Sequence, residues 1–312
     1  ARQIAWRPVF APLSSLGRSL RWGMNLTLGL FTSAVLLVAM MLTWGWGEAS
    51  LLRRDSISVG LSLLSAGLLY LNPALVLAAV AALVLFWLFY HRLDIGLLLV
   101  LMWSPFFLFP VQLYLYAFPL AEMLLLIAVG AWILRGLVHF AERYRAGEMK
   151  LAVPSVSLMD YGMIAFAVAA CVSLVWTTYI DPAITELRVM IIEPLLLYTM
   201  LRTTIQNQTS LRRLADGLII SGLAVAGIGL GMYVFGAGII TAEGGARRLA
   251  GVYGSPNNTA LWLGRTLPMA LAYLWVMPGR YRRGLGLSLL SVGSLALALT
   301  QSAGGLFIGV PI

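Results

Sequence analysis

The chain is a succession of apolar runs separated by short polar breaks. Runs cover positions 26–46, 57–71, 73–90, 94–109, 119–137, 158–178, 187–201, 214–235, 258–277 and 285 onward. Runs of about 17 to 25 residues recur, each long enough to cross about 30 Å of hydrocarbon. They are continuous rather than alternating, which predicts helices and not barrel strands, since backbone groups in lipid must be satisfied internally. The expected fold is all-α: a polytopic transmembrane bundle of about nine or ten segments. Three regions are expected. Positions 1–50 hold a basic segment and an extra apolar run, 51–213 an N-terminal bundle, and 214–312 a second membrane region.

Composition agrees. Hydrophobic residues make up 61% of the chain and charged residues 11%, against about 25% charged in a soluble domain. Mean hydropathy is +0.91. A soluble core of this size could not absorb so much apolar side chain, whereas a lipid-facing bundle can. A net charge of +9 would suggest nucleic acid in a soluble protein. Here the cations sit in short loops, so the bilayer is the expected partner and nucleic acid is not. The one cysteine, Cys171, lies inside an apolar run, which excludes a disulfide framework within the chain. His91 and His139 sit in basic loops, and no metal or cofactor is expected. The chain opens on Ala1 rather than methionine and stops at Ile312 within an apolar run. That reads as a chain cut at its ends.

The Lys and Arg bias sets orientation. Arg53-Arg54, His91-Arg92, the stretch 135–150, Arg202 with Arg212-Arg213, and Arg280 to Arg283 fall on one side if each run from Ile57 spans once. That side is expected to be cytoplasmic. Asn72-Pro73 and the loops 111–118, 178–186 and 236–257 then face outward. The run 26–46 conflicts with this scheme, because Arg2, Arg7, Arg18 and Arg21 ask for a cytoplasmic N-terminus. It either lies in the interface or places the N-terminus outside.

The outer loops are poor in cations except for Arg247-Arg248. Paired guanidinium groups suit bidentate capture of phosphate oxygens. Gly244, Gly245, Gly251 and Gly254 would let backbone approach a ligand closely. Ser255-Pro256-Asn257 reads as a helix entrance, whose positive end favours an anion. The bland alternative is a surface loop whose arginines meet lipid headgroups. Arg265 lies seven residues into the next run, roughly 10 Å below its start. A charge there is expected to face the bundle interior or a wet cavity, or else to snorkel to the interface. It shares a helical face with Asn258, and Pro268 would disturb the helix nearby.

Glu193, next to Pro194, needs a partner inside its run. Helical spacing puts Glu186 on its face and Arg188 on the opposite one, so Arg265 is its expected partner across helices. The bland alternative, structural pairing between helices with no chemistry, is the preferred reading of it. Glu122 reads as a helix-start charge favoured by the dipole. Tyr114, Tyr116 and Phe118, and Trp44 with Trp46, read as interfacial aromatics. Glycines from Gly222 to Gly231 form a small-residue packing face rather than a phosphate loop, since no strand precedes them.

The run Arg248-Leu-Ala-Gly251-Val-Tyr253-Gly-Ser-Pro256-Asn257 resembles the Arg-Leu-x-Gly-x-aromatic-x-x-Pro-Asn signature of the O-antigen ligase/polymerase family of bacterial membrane proteins. A span with a mid-helix proline follows, then a basic turn at Arg280 to Arg283. A second span ends in Thr300-Gln-Ser302-Ala303-Gly304, similar to the family's Thr-x-Ser-x-Gly element. The resemblance covers about 214–312. It implies a glycosyltransferase of the cytoplasmic (inner) membrane with its site facing outside. The donor would be a glycan on undecaprenyl diphosphate, and the acceptor another glycan, a lipid or a protein, in lipopolysaccharide or other surface polysaccharide assembly. It implies no metal or other cofactor. By the resemblance Arg248 is the catalytic arginine on the diphosphate, and Arg247, Asn257 and Arg265 are further substrate-binding candidates.

Two departures stand out. Ala303 occupies the place where the family usually has arginine or lysine. The family's large outer loop, with a second arginine and a histidine, would lie beyond Ile312. Two readings from other classes stay open: a transporter of an anionic solute using Glu193 and Arg265, and a non-catalytic remnant.

Overall fold

Within long apolar runs each backbone amide finds its partner inside its own segment, so the chain forms helices. The computed structural model describes residues 55–71, 74–113, 116–147, 157–241, 245–276 and 279–305. The run 26–46 with its orientation, Trp44, Trp46, Arg53-Arg54, the Asn72-Pro73 break, Tyr114, positions 148–156 and Gly244 lie outside them.

Ten helices follow in order among the described residues: α1 (Asp55–Leu71), α2 (Leu75–His91), α3 (Leu93–Trp103), α4 (Leu120–Arg145), α5 (Leu158–Ser173), α6 (Ile180–Leu187), α7 (Glu193–Thr204), α8 (Gln208–Val234), α9 (Pro256–Val276) and α10 (Arg280–Thr300). The strands described are two short antiparallel hairpins, β1 (Val111–Leu113) with β2 (Tyr116–Phe118) and β3 (Ile239–Thr241) with β4 (Arg247–Leu249). The fold is all-α, as the pattern predicts. α4, α5 with its following turn, α8 and α10 are each long and apolar enough to cross a membrane, and α1 to α3 are shorter apolar helices. Large apolar side chains such as Leu83, Phe166 and Leu295 remain exposed on outer faces, where lipid would cover them. The chain is a multi-pass membrane protein.

Two buried clusters hold the bundle. One gathers Leu69, Leu85, Phe89, Leu97 and Leu124 from α1 to α4, joined by Met200 and Leu214. The other gathers Ile219, Leu249, Leu263, Leu267, Tyr273 and Leu289 from α8, β4, α9 and α10. α8 belongs to both. It packs closely because Gly217 lies against Leu98 and Gly222 against Thr266, where an added Cβ would meet Thr266 Oγ1 at 2.7 Å. Of the expected glycine face, Gly222 and Gly229 meet neighbours, while Gly227 and Gly231 face open space.

Three boundaries differ from the sequence pattern. The run 94–109 stops being α-helical at Trp103 and passes through a 3-10 turn, Ser104–Phe106, whose Pro105 lacks an amide hydrogen to extend the helix. α4 continues past Leu137 to Arg145, because its polar end is made of good helix formers and terminates only at Gly147, with φ of +69°. The stretch 178–186, expected as an outer loop, is largely α6, which a π-helical segment (Arg188–Ile192) joins to α7.

Carboxylate–arginine clusters tie the basic end together. Arg92 and Arg213 share Asp55 and Asp94: Arg92 lies 2.9 Å from Asp55 and 3.0 Å from Asp94, and Arg213 lies 2.6 and 2.9 Å from the same two. The Asp94 hydrogen bond heads the causes that hold the Arg92 guanidinium above its ordinary pKa. Asp216 accepts both Arg282 Nε and Nη2 and the Tyr273 hydroxyl at 2.9 Å. Asp160 completes a capping box with Ser157 and pairs with Arg202. Arg92, Arg213 and Arg282, with the basic end of α4, thus gather at one end of the bundle. Both hairpins lie at the other.

Candidate functional site

The hairpin end is built by glycines. Gly238 and Gly251 have φ of +58° and +56°. In this conformation Ala250 and Gly251 both donate their amides to the Gly238 carbonyl, at 2.9 and 3.1 Å. The β3–β4 register pairs Ile240 with Arg248 and Thr241 with Arg247. Leu249 is fully buried and reaches α8 at Gly229. A 3-10 turn, Gly251–Tyr253, follows, and Gly254 in the left-handed region releases the chain into α9. Pro256 stands at the first helical position, and the Ser255 carbonyl accepts the Thr259 amide at 3.1 Å. Among the described residues the Ser255 hydroxyl makes no capping bond, so the carbonyl and proline alone mark this start. The buried Thr259 hydroxyl donates to the Ala250 carbonyl at 2.6 Å and clamps the turn to α9.

This frame aims Arg248 at the end of α10. Its Nε donates to the Thr300 carbonyl at 2.9 Å, and Nη2 donates to the Gln301 carbonyl at 3.2 Å and to Asn257 Oδ1 at 3.4 Å. The carbonyls at a helix C-terminus lack intrahelical partners and carry partial negative charge, so an arginine there is favourable. Nη1 has no partner among the described residues. Gln301 takes a left-handed conformation, φ +50°, and ends α10. Ser302 then accepts the Gly305 amide at 3.4 Å and opens another helical turn. The Thr300-to-Gly304 element is therefore a reversal between two helical segments, with Arg248 seated on its carbonyls. Ala303 is exposed beside it.

The other predicted residues fare differently. Asn257 joins Arg248. Arg247 is exposed and has no side-chain partner among the described residues, while its carbonyl accepts the Tyr233 hydroxyl at 3.5 Å. Arg265 does not face the bundle interior. Thr259, Leu263, Leu267 and Ala270 form the packed face of α9, and Arg265 falls with Asn258 and Leu261 on the exposed one. Nor does Arg265 meet Glu193. Glu193 pairs with Arg188, at 3.7 Å, and Arg188 also reaches Glu122 at 2.9 Å. The π-helical segment explains this. Its longer turn bonds the Glu193 amide to the Arg188 carbonyl five residues back, which sets the two side chains on one side.

Sequence reasoning missed Thr259, Gln301 and the aromatic wall. Tyr253 packs between Phe107 and Trp262, with ring centroids 5.8 and 6.4 Å away. Burial pushes its phenol well above the ordinary range. Phe107 lies 146 positions from Tyr253, so only the fold could pair them. Beneath the turn an apolar crevice of about 410 Å³ opens, walled by Tyr70, Trp103, Phe106, Ile220 and Val252. Compared with protein-family models, curated proteins and solved structures, the chain matches none.

Proposed function

We propose that the protein is a membrane glycosyltransferase of the O-antigen ligase or polymerase type. It would move a glycan from undecaprenyl diphosphate to an acceptor on the outer side of the bacterial inner membrane. One observation carries this reading: Arg248, which opens the signature, is seated on Thr300 and Gln301, which open the second element 52 residues later. Two stretches singled out separately by the resemblance meet at one guanidinium.

The chemistry suits the geometry. Backbone carbonyls and Asn257 hold one edge of the fork rigid, leaving Nη1 for a phosphate oxygen. A preorganised cation on the leaving diphosphate stabilises the charge that develops as the bond from sugar carbon to phosphate oxygen breaks. The exposed Arg247 adds positive field. The apolar crevice shares Val252 with the same turn, so an apolar chain and an anionic head would each find a matching surface.

The test is glycan transfer in cells carrying the gene's full reading frame. Arg248→Ala removes transfer with unchanged membrane level, and Arg248→Lys, which keeps charge but not the planar fork, restores little of it. Normal glycan output from Arg248→Ala would end the assignment.

A further inference from the structure

The opposite end of the bundle holds a cleft of about 790 Å³ that the proposed transfer does not use. One wall is the polar end of α4. Arg135, His139 and Arg143 follow at four-residue spacing, so they share one helical face, and all three line the cleft. The facing wall is the α7–α8 connection, with Thr203, Gln206 and Asn207. The floor is Arg92, Asp94 and Arg213.

Charge in this cleft is unbalanced. Asp94 is consumed by Arg92 and Arg213, which also share Asp55. Glu142 lies 3.3 Å from His139. Arg135 and Arg143 have no carboxylate partner among the described residues. α8, 27 residues long, begins at this wall: Asn207 caps it by accepting the Ser210 amide at 2.7 Å. That leaves the amides of Gln208 and Thr209 without intrahelical partners, and the positive helix end adds to the field. Trp132 donates to the Thr203 hydroxyl at 3.2 Å and fixes the distance between the walls. The cleft is cut where apolar helices give way to polar ends, the level at which headgroup phosphates lie.

We propose that this cleft binds a phosphate anion between Arg135 and Arg143 on one wall and the start of α8 on the other. Arg135 and Arg143 stand two helical turns apart, about 12 Å along the axis, with His139 on the turn between them, and guanidinium groups so placed bracket the several oxygens of a phosphate. The phosphate belongs either to an anionic lipid headgroup or to a free phosphate compound. Basic pockets between membrane helices hold headgroups in this manner. The site does not depend on the transferase reading, since it lies at the other end of the bundle and shares no residue with it.

Native mass spectrometry of the purified protein with dioleoylphosphatidylglycerol, against dioleoylphosphatidylcholine, tests the site. Calorimetry with inorganic pyrophosphate tests the free source. The Arg135→Gln, Arg143→Gln double variant is expected to weaken binding about 30-fold, each arginine being worth roughly a factor of five to six near a membrane surface. The Arg280→Gln, Arg283→Gln variant removes the same charge from the same end but outside the cleft, and is expected to change binding less than about threefold. Phosphatidylglycerol binding lost only in the first variant assigns a headgroup; pyrophosphate binding lost in the same way assigns a free phosphate. Equal losses in both variants, or no binding of either probe, overturn the proposal. Should the double variant fail to fold, Arg143→Gln alone, on the exposed end of α4, is expected to cost about sixfold.

Discussion

α10 must be held against α9 for Thr300 to meet Arg248, and glycines set that approach, Gly293 against Leu267 and, against backbone, Gly286. A Cβ built on Gly286 would lie 2.9 Å from the Ala270 carbonyl oxygen, 3.2 Å from Tyr273 Cβ and 3.6 Å from Leu274 Cδ2. The first obstacle is backbone and cannot rotate away. Gly286→Ala therefore either separates the helices or strains them, at about 1–3 kcal/mol for overpacking. Alanine also favours the helix over glycine by roughly 1 kcal/mol. Gly284, two residues earlier in α10, has nothing within 4 Å. Gly284→Ala carries the propensity gain without the clash, so it is expected to stabilise by about 0.5–1 kcal/mol. The difference between the two variants isolates the packing term, about 1–3 kcal/mol. Thermal or denaturant unfolding in one detergent, followed by tryptophan fluorescence, measures both. Equal shifts in the two variants would refute the close approach of α9 and α10.

Other expectations follow from individual contacts. Thr259→Val leaves the Ala250 carbonyl without its buried 2.6 Å donor; a loss of about 1–3 kcal/mol in unfolding free energy is expected, because the turn behind Arg248 loosens. Arg188→Gln leaves Glu122 and Glu193, both largely buried, facing each other without a cation. It is expected to cost about 1–3 kcal/mol, Arg188 itself being half exposed, part of which Glu193→Gln restores in the double variant, whereas Glu193→Gln and Arg265→Gln add simply. A restored fraction of zero would contradict the shared arginine. Asp55 precedes the apolar part of α1. Burial raises its pKa, but hydrogen bonds from Arg92 and Arg213 outweigh that and hold it below its ordinary value of 3.8. A depressed carboxyl adds stability that is complete above the unfolded value and is lost as pH falls through the folded one. Melting temperatures of wild type and Asp55→Asn should therefore differ at neutral pH and converge as the pH falls below about 4. A gap unchanged across that range would count against the cluster.

The order of helices was legible in sequence because it rests on a local quantity. A run such as 214–235 is apolar at every turn, and lipid leaves its backbone no option but a helix. The gathering of Arg92, Arg213 and Arg282 at one end was equally legible, since alternating spans sort loops by parity. Arg248 stood out as half of a cation pair in a loop otherwise expected to be poor in cations, and Asn257, beside Pro256, as part of a helix entrance. Partners were not legible. Glu193 found Arg188 rather than Arg265 because a π-helical segment shifts the face by one residue, which even helical spacing cannot show. Arg265 turned outward because packing against α8 and α10 chose which side of α9 is buried, and nothing within α9 itself expresses that choice. Thr300 reached Arg248 through the close approach of α9 to its neighbours at Gly222 and Gly286, and Arg135 came to share a cleft with Asn207 through the packing of α4 on α7, which the Trp132–Thr203 bond spans. Local sequence determines which segments become helices and which charges end up near the membrane surface. Long-range packing, by placing one backbone against another to within a methyl group, decides which of those charges meet.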